Sequence, residues 1–255
     1  MGKNLKTKFI GKKIIEFKTI NSTNTYLKEI GNIENEGTVV ISEEQTGGRG
    51  RLGRRWVSSH GDGIYMSMLL KPKIKVEKSP FITIIAGASI VKALNDFGIN
   101  AMIKWPNDIV INGKKICGIL TELNSHMEKI NYIVLGIGIN IKKLDFEEDI
   151  KNMATSIYKE GYEISRKDLF NSILYEFENL YLDYIKYDEK NEVLNICRKY
   201  SAIINKKVYI VNNNKKELAF CIDINDNGNL LVKVNDNIIE ISSTEVSIRG
   251  EDCYI

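Results

Sequence analysis

Residues 46–56, TGGRGRLGRRW, carry four arginines and four glycines. Arginine is always charged and presents a planar fork of donors matched to carboxylates and phosphates. Glycine lets the backbone turn sharply and lets another molecule come close to it. The pairing describes a loop that closes around an anion. Gly48-Arg49-Gly50-Arg51-Leu52-Gly53 also spells GxGxxG, but the dinucleotide fingerprint needs a helix opening on its third glycine, inside a βαβ unit. RRWVSSHGDG is a poor helix start, and no Gly-Lys-Ser/Thr follows to make a Walker A loop. The remaining readings of the stretch on its own are a solvated basic loop or a segment that binds RNA loosely.

A second stretch, KWPND at 104–108, puts a proline and two Asx residues where a strand should turn. Asn107 there could meet a base edge or a phosphate oxygen, Asp108 could hold a magnesium ion, or the pair could form a structural Asx turn. Lys115 opens KICGILTE among apolar neighbours, which would bury its stem and aim its ammonium into a cleft. A hairpin-edge lysine in water is the alternative. Cys117 beside it reads as a small core residue, since no histidine partner is evident. GIGIN at 136–140 ends an apolar strand with two glycines, a sign of close approach by a ligand or of a bulge. His60 and His126 show no triad or metal-ligand spacing.

These residues need elements to hold them. KIIEFKTI reads as a strand, and Ser22 or Thr23 caps a helix that runs to Ile30 and stops at Gly31. GTVVISEEQ and GIYMSMLL are strands on either side of the arginine loop. Ser79 caps a helix with Pro80 at its first position, and Phe81, Ile84, Ile85, Ala88, Val91, Leu94 and Phe97 recur at helical spacing before Gly98. Four short strands follow, with a two-residue hairpin at Asn112-Gly113. After the acidic loop KKLDFEED, a helix capped at Ser165 carries Leu169, Phe170, Ile173, Leu174, Phe177, Leu180, Tyr181 and Tyr184, and a further helical piece reaches Tyr200. Beyond Ser201 the texture changes to five alternating strands joined by Asn/Asp/Gly turns, a small barrel or sandwich. The expected organisation is a mixed α/β domain over 1–200 and a small all-β domain over 201–255.

Composition narrows the class. At 255 residues, 43% hydrophobic and 27% charged, the chain can bury a substantial core, and a net charge of +3 is too small for a general polyanion binder. Cys117, Cys197, Cys221 and Cys253 are widely spaced, which speaks against a zinc site or a disulfide framework. The first residues lack an apolar signal core, and no apolar run is long enough to span a bilayer. A cytoplasmic location without membrane contact is expected.

Taken in order, Ser22-Thr23-Asn24, GRGRLGRRW at 48–56, KWPNDI at 104–109, KKICGILTEL at 114–123 and GIGIN at 136–140 resemble the biotin protein ligases. The resemblance runs from about residue 12 to 250 and includes ATSI at 154–157 and a C-terminal EVSIRG. It implies a catalytic α/β domain shared with lipoate ligases and a small SH3-like domain. The implied reaction joins biotin and ATP, with magnesium, into biotinyl-5′-AMP and passes biotin to one lysine of a biotin carboxyl carrier protein. By the same resemblance, Ser22, Thr23, Asn24, Gln45, Gly48, Arg49, Gly50, Arg51 and Lys115 would contact biotin, with Gly118, Leu120 and Gly136 near it. Arg51, Arg54, Trp56, Asn107 and Asn140 would hold ATP or the adenylate, Trp56 by stacking on adenine. Bifunctional members carry an N-terminal DNA-binding domain. About a dozen residues precede the first strand here, so the expected type is monofunctional, without specific DNA binding, and a homodimer is allowed. Rival readings are a lipoate or octanoate ligase of the same fold, and a nucleic-acid-binding module using the basic loop.

The residues support that chemistry independently. A carboxylate must attack the α-phosphorus of a polyanion, and two like charges about 4 Å apart repel by roughly 1 kcal/mol in water and about 4 kcal/mol at an effective dielectric of 20. Excluding water protects the mixed anhydride but sharpens the repulsion. Fixed cations resolve the conflict, and Arg49, Arg51 and Lys115 are the candidates for catalysis. The glycines let the loop fold over them.

Overall fold

The structure, a computed structural model, describes the chain except residues 143–145, 147, 149, 213–214, 244–245 and 251–253. Cys253 and most of the acidic loop after Lys142 lie outside the described residues. Seven strands form the main sheet: β1 (Ile14–Ile20), β2 (Val39–Gln45), β3 (Gly63–Leu70), β4 (Met102–Lys104), β5 (Asp108–Ile111), β6 (Lys114–His126) and β7 (Lys129–Asn140). Their order is β1-β2-β3-β7-β6-β5-β4, with β1 and β2 parallel and every other pair antiparallel.

Alternation along the strands gives the sheet two unlike faces. One face carries Ile64, Met66 and Met68 of β3 and Ile133, Leu135, Ile137 and Ile139 of β7, all buried in the main core. Helix α2 (Phe81–Asp96) is apolar on nearly every side because it is enclosed, packing on α3 (Arg166–Tyr187) and α4 (Asn191–Lys199) as well as on the sheet. The opposite face is only partly covered. Helix α1 (Thr23–Ile30) closes one end of it with Leu27 against Val40, Leu69, Tyr132 and Val134. Ser22 caps α1 by accepting from the Thr25 amide. The helix stops where a side chain on Gly31 would come within 2.8 Å of the Tyr132 ring.

Five further strands, β8 (Lys207–Asn212), β9 (Lys215–Ile224), β10 (Leu230–Val234), β11 (Asn237–Ile241) and β12 (Ser247–Arg249), form an antiparallel sheet ordered β11-β10-β9-β8-β12. The fold class is therefore a mixed α/β unit followed by an all-β sheet, as expected. The two sheets share one continuous core. Trp105 Nε1, just after β4, donates to the Gly228 carbonyl at 2.9 Å, and Arg198 of α4 pairs with Asp223 of β9 at 2.9 Å.

Local signals hold with one shift. Asn112 and Gly113 both have positive φ, 48° and 75°, as a two-residue hairpin turn requires. The helix expected to be capped by Ser79 starts one residue late, at Phe81, with no side-chain cap. Residues Val76–Lys78 form a 3₁₀ turn that runs into it, and carbonyls of Ser79 and Pro80 take the first amides instead.

Candidate active site

The open part of the second sheet face is floored by glycines. Register pairing aligns Ser67, Gly136 and Leu120 in one row across β3, β7 and β6. The next row runs Tyr65, Gly138, Gly118, Asp108 and Lys104 across five strands. A Cβ on Gly136 would lie 2.2 Å from Asn24 Oδ1, and one on Gly138 would lie 2.4 Å from Trp56 Nε1. The bare floor is what lets α1 on one side and the arginine loop on the other approach the sheet. Two cavities open over these rows.

The smaller, about 50 Å³, lies over the Ser67 row. Its wall is a hydrogen-bonded chain. Thr23 donates its amide to Gln45 Oε1 at 2.9 Å, Gln45 Nε2 donates to Ser58 Oγ at 3.0 Å, and Ser67 Oγ lies 2.7 Å from Thr23 Oγ1 and 2.5 Å from Asn24 Oδ1. The larger, about 350 Å³, lies over the Asp108–Lys104 end and reaches β12 and Tyr254. Trp56 and Lys115 border both.

The arginine loop is folded over this divide. Gly50 donates its amide to the Arg54 carbonyl at 2.7 Å, and Trp56 to the Gly48 carbonyl at 2.9 Å. The Trp56 indole rests on Gly118 and Gly138. Among the described residues its buried N–H has no acceptor. Arg51 donates to Asn107 Oδ1 at 3.1 Å and to the carbonyls of Ser243 and Val246 at 2.9 and 3.3 Å, so the loop is tied to the C-terminal sheet. Burial lowers the Arg51 guanidinium from its ordinary value, with Asp108 opposing. Arginine stays charged regardless.

Lys115 reaches the site through a bulge. Ile109 pairs with Cys117 but Val110 pairs with Lys115, so Ile116 is an extra residue in β6. The bulge turns Lys115 onto the same face as Gly118, whose added Cβ would meet Lys115 Nζ at 3.2 Å. Lys115 is ion-paired with Asp108, which also accepts from the Tyr254 hydroxyl. Burial alone would raise the Asp108 carboxyl, but Lys115, Lys104 and these hydrogen bonds hold it below its ordinary value. Lys104 is 3% exposed and lies 3.3 Å from the Tyr254 ring centroid. Burial pulls its ammonium down to about 7, against Asp108 and aided by Arg249, Lys115 and Arg54. Burial pushes the Cys117 thiol well up, which keeps it protonated and unreactive.

Residues 16–140 match the biotin/lipoate A/B protein ligase family. The chain is 35% identical over 249 residues to the bifunctional ligase/repressor BirA of Bacillus subtilis, covering 96% of this chain and 76% of that one. The chain belongs to the biotin/lipoate A/B protein ligase family, among its biotin protein ligases. The biotin–[acetyl-CoA-carboxylase] ligase of Mycobacterium tuberculosis is 26% identical, covering 83% of this chain and 79% of that one. The biotin protein ligase of Aquifex aeolicus, solved in complex with biotin and ATP, superposes with a TM-score of 0.82 at 29% identity, covering 93% of this chain and 99% of that one.

Within this biotin protein ligase fold, the residues singled out by sequence fall into the two cavities. Ser22, Thr23, Asn24, Gln45, Arg49, Gly50, Arg51, Lys115, Gly118, Leu120 and Gly136 line the smaller. Arg51, Arg54, Trp56, Asn107, Asp108 and Asn140 line the larger. Gly48 lines neither; a Cβ there would meet the Trp56 carbonyl at 2.6 Å, so it serves the loop's own hairpin. Asn107 commits Nδ2 to the Ile119 carbonyl and Oδ1 to Arg51, a brace for the arginine more than a free contact. Asn140 donates to the Thr155 carbonyl at 3.1 Å, which explains the ATSI stretch.

Asp108 does not fit a resident magnesium site. Its oxygens face Lys115 and Tyr254, and among the described residues no group of three potential ligands gathers. Sequence reasoning passed over Lys104, although it sits in KWPND, along with Ser67, Arg249 and Tyr254. A serine inside the apolar strand GIYMSMLL was the available signal for Ser67. Arg249 lay in the EVSIRG stretch of the resemblance without a role, because only the packing of the two sheets brings it and Tyr254 to the cavity.

Proposed function

We propose that the protein is an ATP-dependent ligase that makes biotinyl-5′-AMP and transfers biotin to a lysine of a biotin carboxyl carrier protein. The observation that carries this reading is the pairing of the two cavities: a small hydrogen-bonding pocket opens directly onto a larger cationic one, with Lys115 at the junction. The bicyclic head of biotin suits the small pocket, whose Thr23, Asn24 and Gln45 can meet ureido groups. Lipoate and octanoate carry no N–H donors for that wall, which favours biotin over the related acids.

In the first step a carboxylate oxygen of biotin attacks the α-phosphorus of MgATP, the bond to the β-phosphate bridging oxygen breaks, and pyrophosphate leaves. Lys115, Arg51 and Arg49 bring the two anions together and stabilise the charge that builds on the phosphoryl oxygens. Lys104, Arg54 and Arg249 add positive potential along the larger cavity, and Trp56 offers a face for the purine. The folded loop shields the mixed anhydride from water. In the second step the neutral amine of the carrier lysine attacks the acyl carbon, forming the amide and releasing AMP and a proton. No enzyme nucleophile is required, in keeping with the protonated Cys117 thiol.

The proposed partner is a carrier protein or carrier domain of a biotin-dependent carboxylase. Duplex DNA is not among the proposed partners: cationic contacts to phosphates alone carry no sequence information, so operator-like and random duplexes are expected to bind alike. The chain is expected to act in the cytoplasm. Among the described residues no helix is long and apolar enough to cross a membrane. The test is incubation with biotin, MgATP and a purified carrier domain, followed by intact mass. One added biotinyl group on a single lysine is expected; an unmodified carrier overturns the proposal.

A further inference from the structure

Outside the residues already assigned, a polar chain leads from the small cavity to the protein surface. Lys28 on α1 and Glu122 on β6 form an ion pair at 2.6 Å, and both are partly exposed. The second oxygen of Glu122 accepts from Asn24 Nδ2 at 2.8 Å. A carboxylate has no proton to give, so it fixes which way the Asn24 amide points. Asn24 Oδ1 then has to accept, and Ser67 Oγ donates to it at 2.5 Å. Ser67 Oγ also reaches Thr23 Oγ1 at 2.7 Å, and the Thr23 hydroxyl donates in turn to Gln45 Oε1 at 3.1 Å. Gln45 at the far end is fixed by the backbone, because its Oε1 takes the Thr23 amide and its Nε2 donates to Ser58. The negative charge at one end thus sets the direction of the Asn24 amide and of the Ser67 hydroxyl that meets it. Asn24, which lines the cavity, is thereby held with Oδ1 as an acceptor.

We infer that Glu122, held by Lys28, is a positioning residue that locks the small cavity into an acceptor-bearing state and selects a ligand head with N–H donors. The inference rests on the biotin reading above and extends it to two residues that touch no substrate. A neutral residue at 122 leaves the long 3.4 Å bond from Asn24 Nδ2 to the Leu120 carbonyl as the remaining hold on the amide, so that it can flip and present donors to the ureido N–H groups.

The test is calorimetric titration of wild-type and variant proteins with biotin, desthiobiotin and, separately, MgATP. Glu122→Gln is expected to weaken biotin and desthiobiotin about tenfold, as for one misdirected buried hydrogen bond, while MgATP affinity and thermal midpoint stay near wild type. Lys28→Met is expected to weaken biotin two- to threefold. The decisive arm is a swap. Asn24→Asp puts a second carboxylate against Glu122 and is expected to lose biotin binding by far more than tenfold. Adding Glu122→Gln supplies an amide donor to that new carboxylate, restores the chain and is expected to recover most of the loss. Additive losses in the double variant, parallel losses of biotin and MgATP, or a Glu122→Gln affinity within twofold of wild type would each overturn the inference. If Glu122→Gln alone does not fold, the Asn24→Asp pair with and without Glu122→Gln decides the question. A wild-type protein that binds no biotin removes the underlying reading itself, a result separable from a normal wild type with an unaffected variant.

Discussion

The two cavities share a floor and are built on opposite principles. The smaller is walled by α1, strands β2, β3, β6 and β7 and part of the arginine loop, and its polar groups bond one another in a chain. The larger is assembled from a loop, a strand turn and the edge of a second sheet, and its charged lining is cationic but for one residue. Among its described lining residues Asp108 is the one carboxylate. A neutral head group is selected by directed hydrogen bonds, which demand rigid placement. A polyphosphate is held by summed positive potential, which tolerates looser parts. Where the two meet, at Lys115 and Trp56, the reaction needs both properties at once.

Substitutions on either side of that junction can break the division. Lys115 borders both cavities, so Lys115→Ala is expected to slow adenylate formation about 100- to 1000-fold, the usual loss for one preorganised electrostatic donor. A rate within threefold of wild type in pyrophosphate exchange would place the lysine outside the chemistry. Gly136→Ala presses a Cβ to 2.2 Å from Asn24 Oδ1. Overpacking of this kind costs about 1–3 kcal/mol, so biotin affinity is expected to fall roughly 5- to 150-fold with MgATP little changed. Trp56→Ala is expected to do the reverse at the low end of a base-stacking contact, about 1 kcal/mol or roughly fivefold in MgATP affinity. Equal losses of both ligands in either variant would show that the cavities do not act as separate recognition units.

The smallest effect concerns Lys104. Its ammonium sits near 7 in the folded protein against an ordinary 10.5. Between these values the unfolded chain binds more protons, so this residue makes stability rise with pH from about 7 upward. Lys104→Met is expected to flatten that rise in denaturant titrations between pH 7 and 9. Polyphosphate should also draw a proton back onto Lys104, giving an uptake of less than one proton per MgATP bound at pH 8, read from titrations in buffers of different ionisation enthalpy. An unchanged slope and no uptake would show that the lysine stays charged throughout.

The same contrast governs what could be read from sequence. The small cavity was largely legible, because Ser22, Thr23 and Asn24 begin a capped helix, Gly118 and Gly136 interrupt apolar strands, and each such break has a local reason. The arginine loop announced its charge in eleven consecutive residues. What stayed hidden depends on pairing between distant strands. The bulge at Ile116 that re-aims Lys115 leaves no mark in KKICGILTEL. Glu122 looks like any exposed strand residue until Asn24 is placed against it. Arg249 and Tyr254 enter through the docking of the second sheet, whose contacts with Arg51 span 192 and 195 residues of chain. The sequence left Asp108 open between a magnesium contact and an Asx turn, because it does not show that this carboxylate has Lys115 and Tyr254 as partners.

The central claim is that the carboxylate of biotin and the α-phosphate of ATP meet beneath the arginine loop. Exchange of labelled pyrophosphate into ATP reports that encounter without any carrier protein. With magnesium and ATP present, the wild-type protein is expected to catalyse exchange when biotin is added and to remain at background with lipoate, octanoate or no acid. Exchange driven equally well by octanoate, or independent of any added acid, would contradict the account.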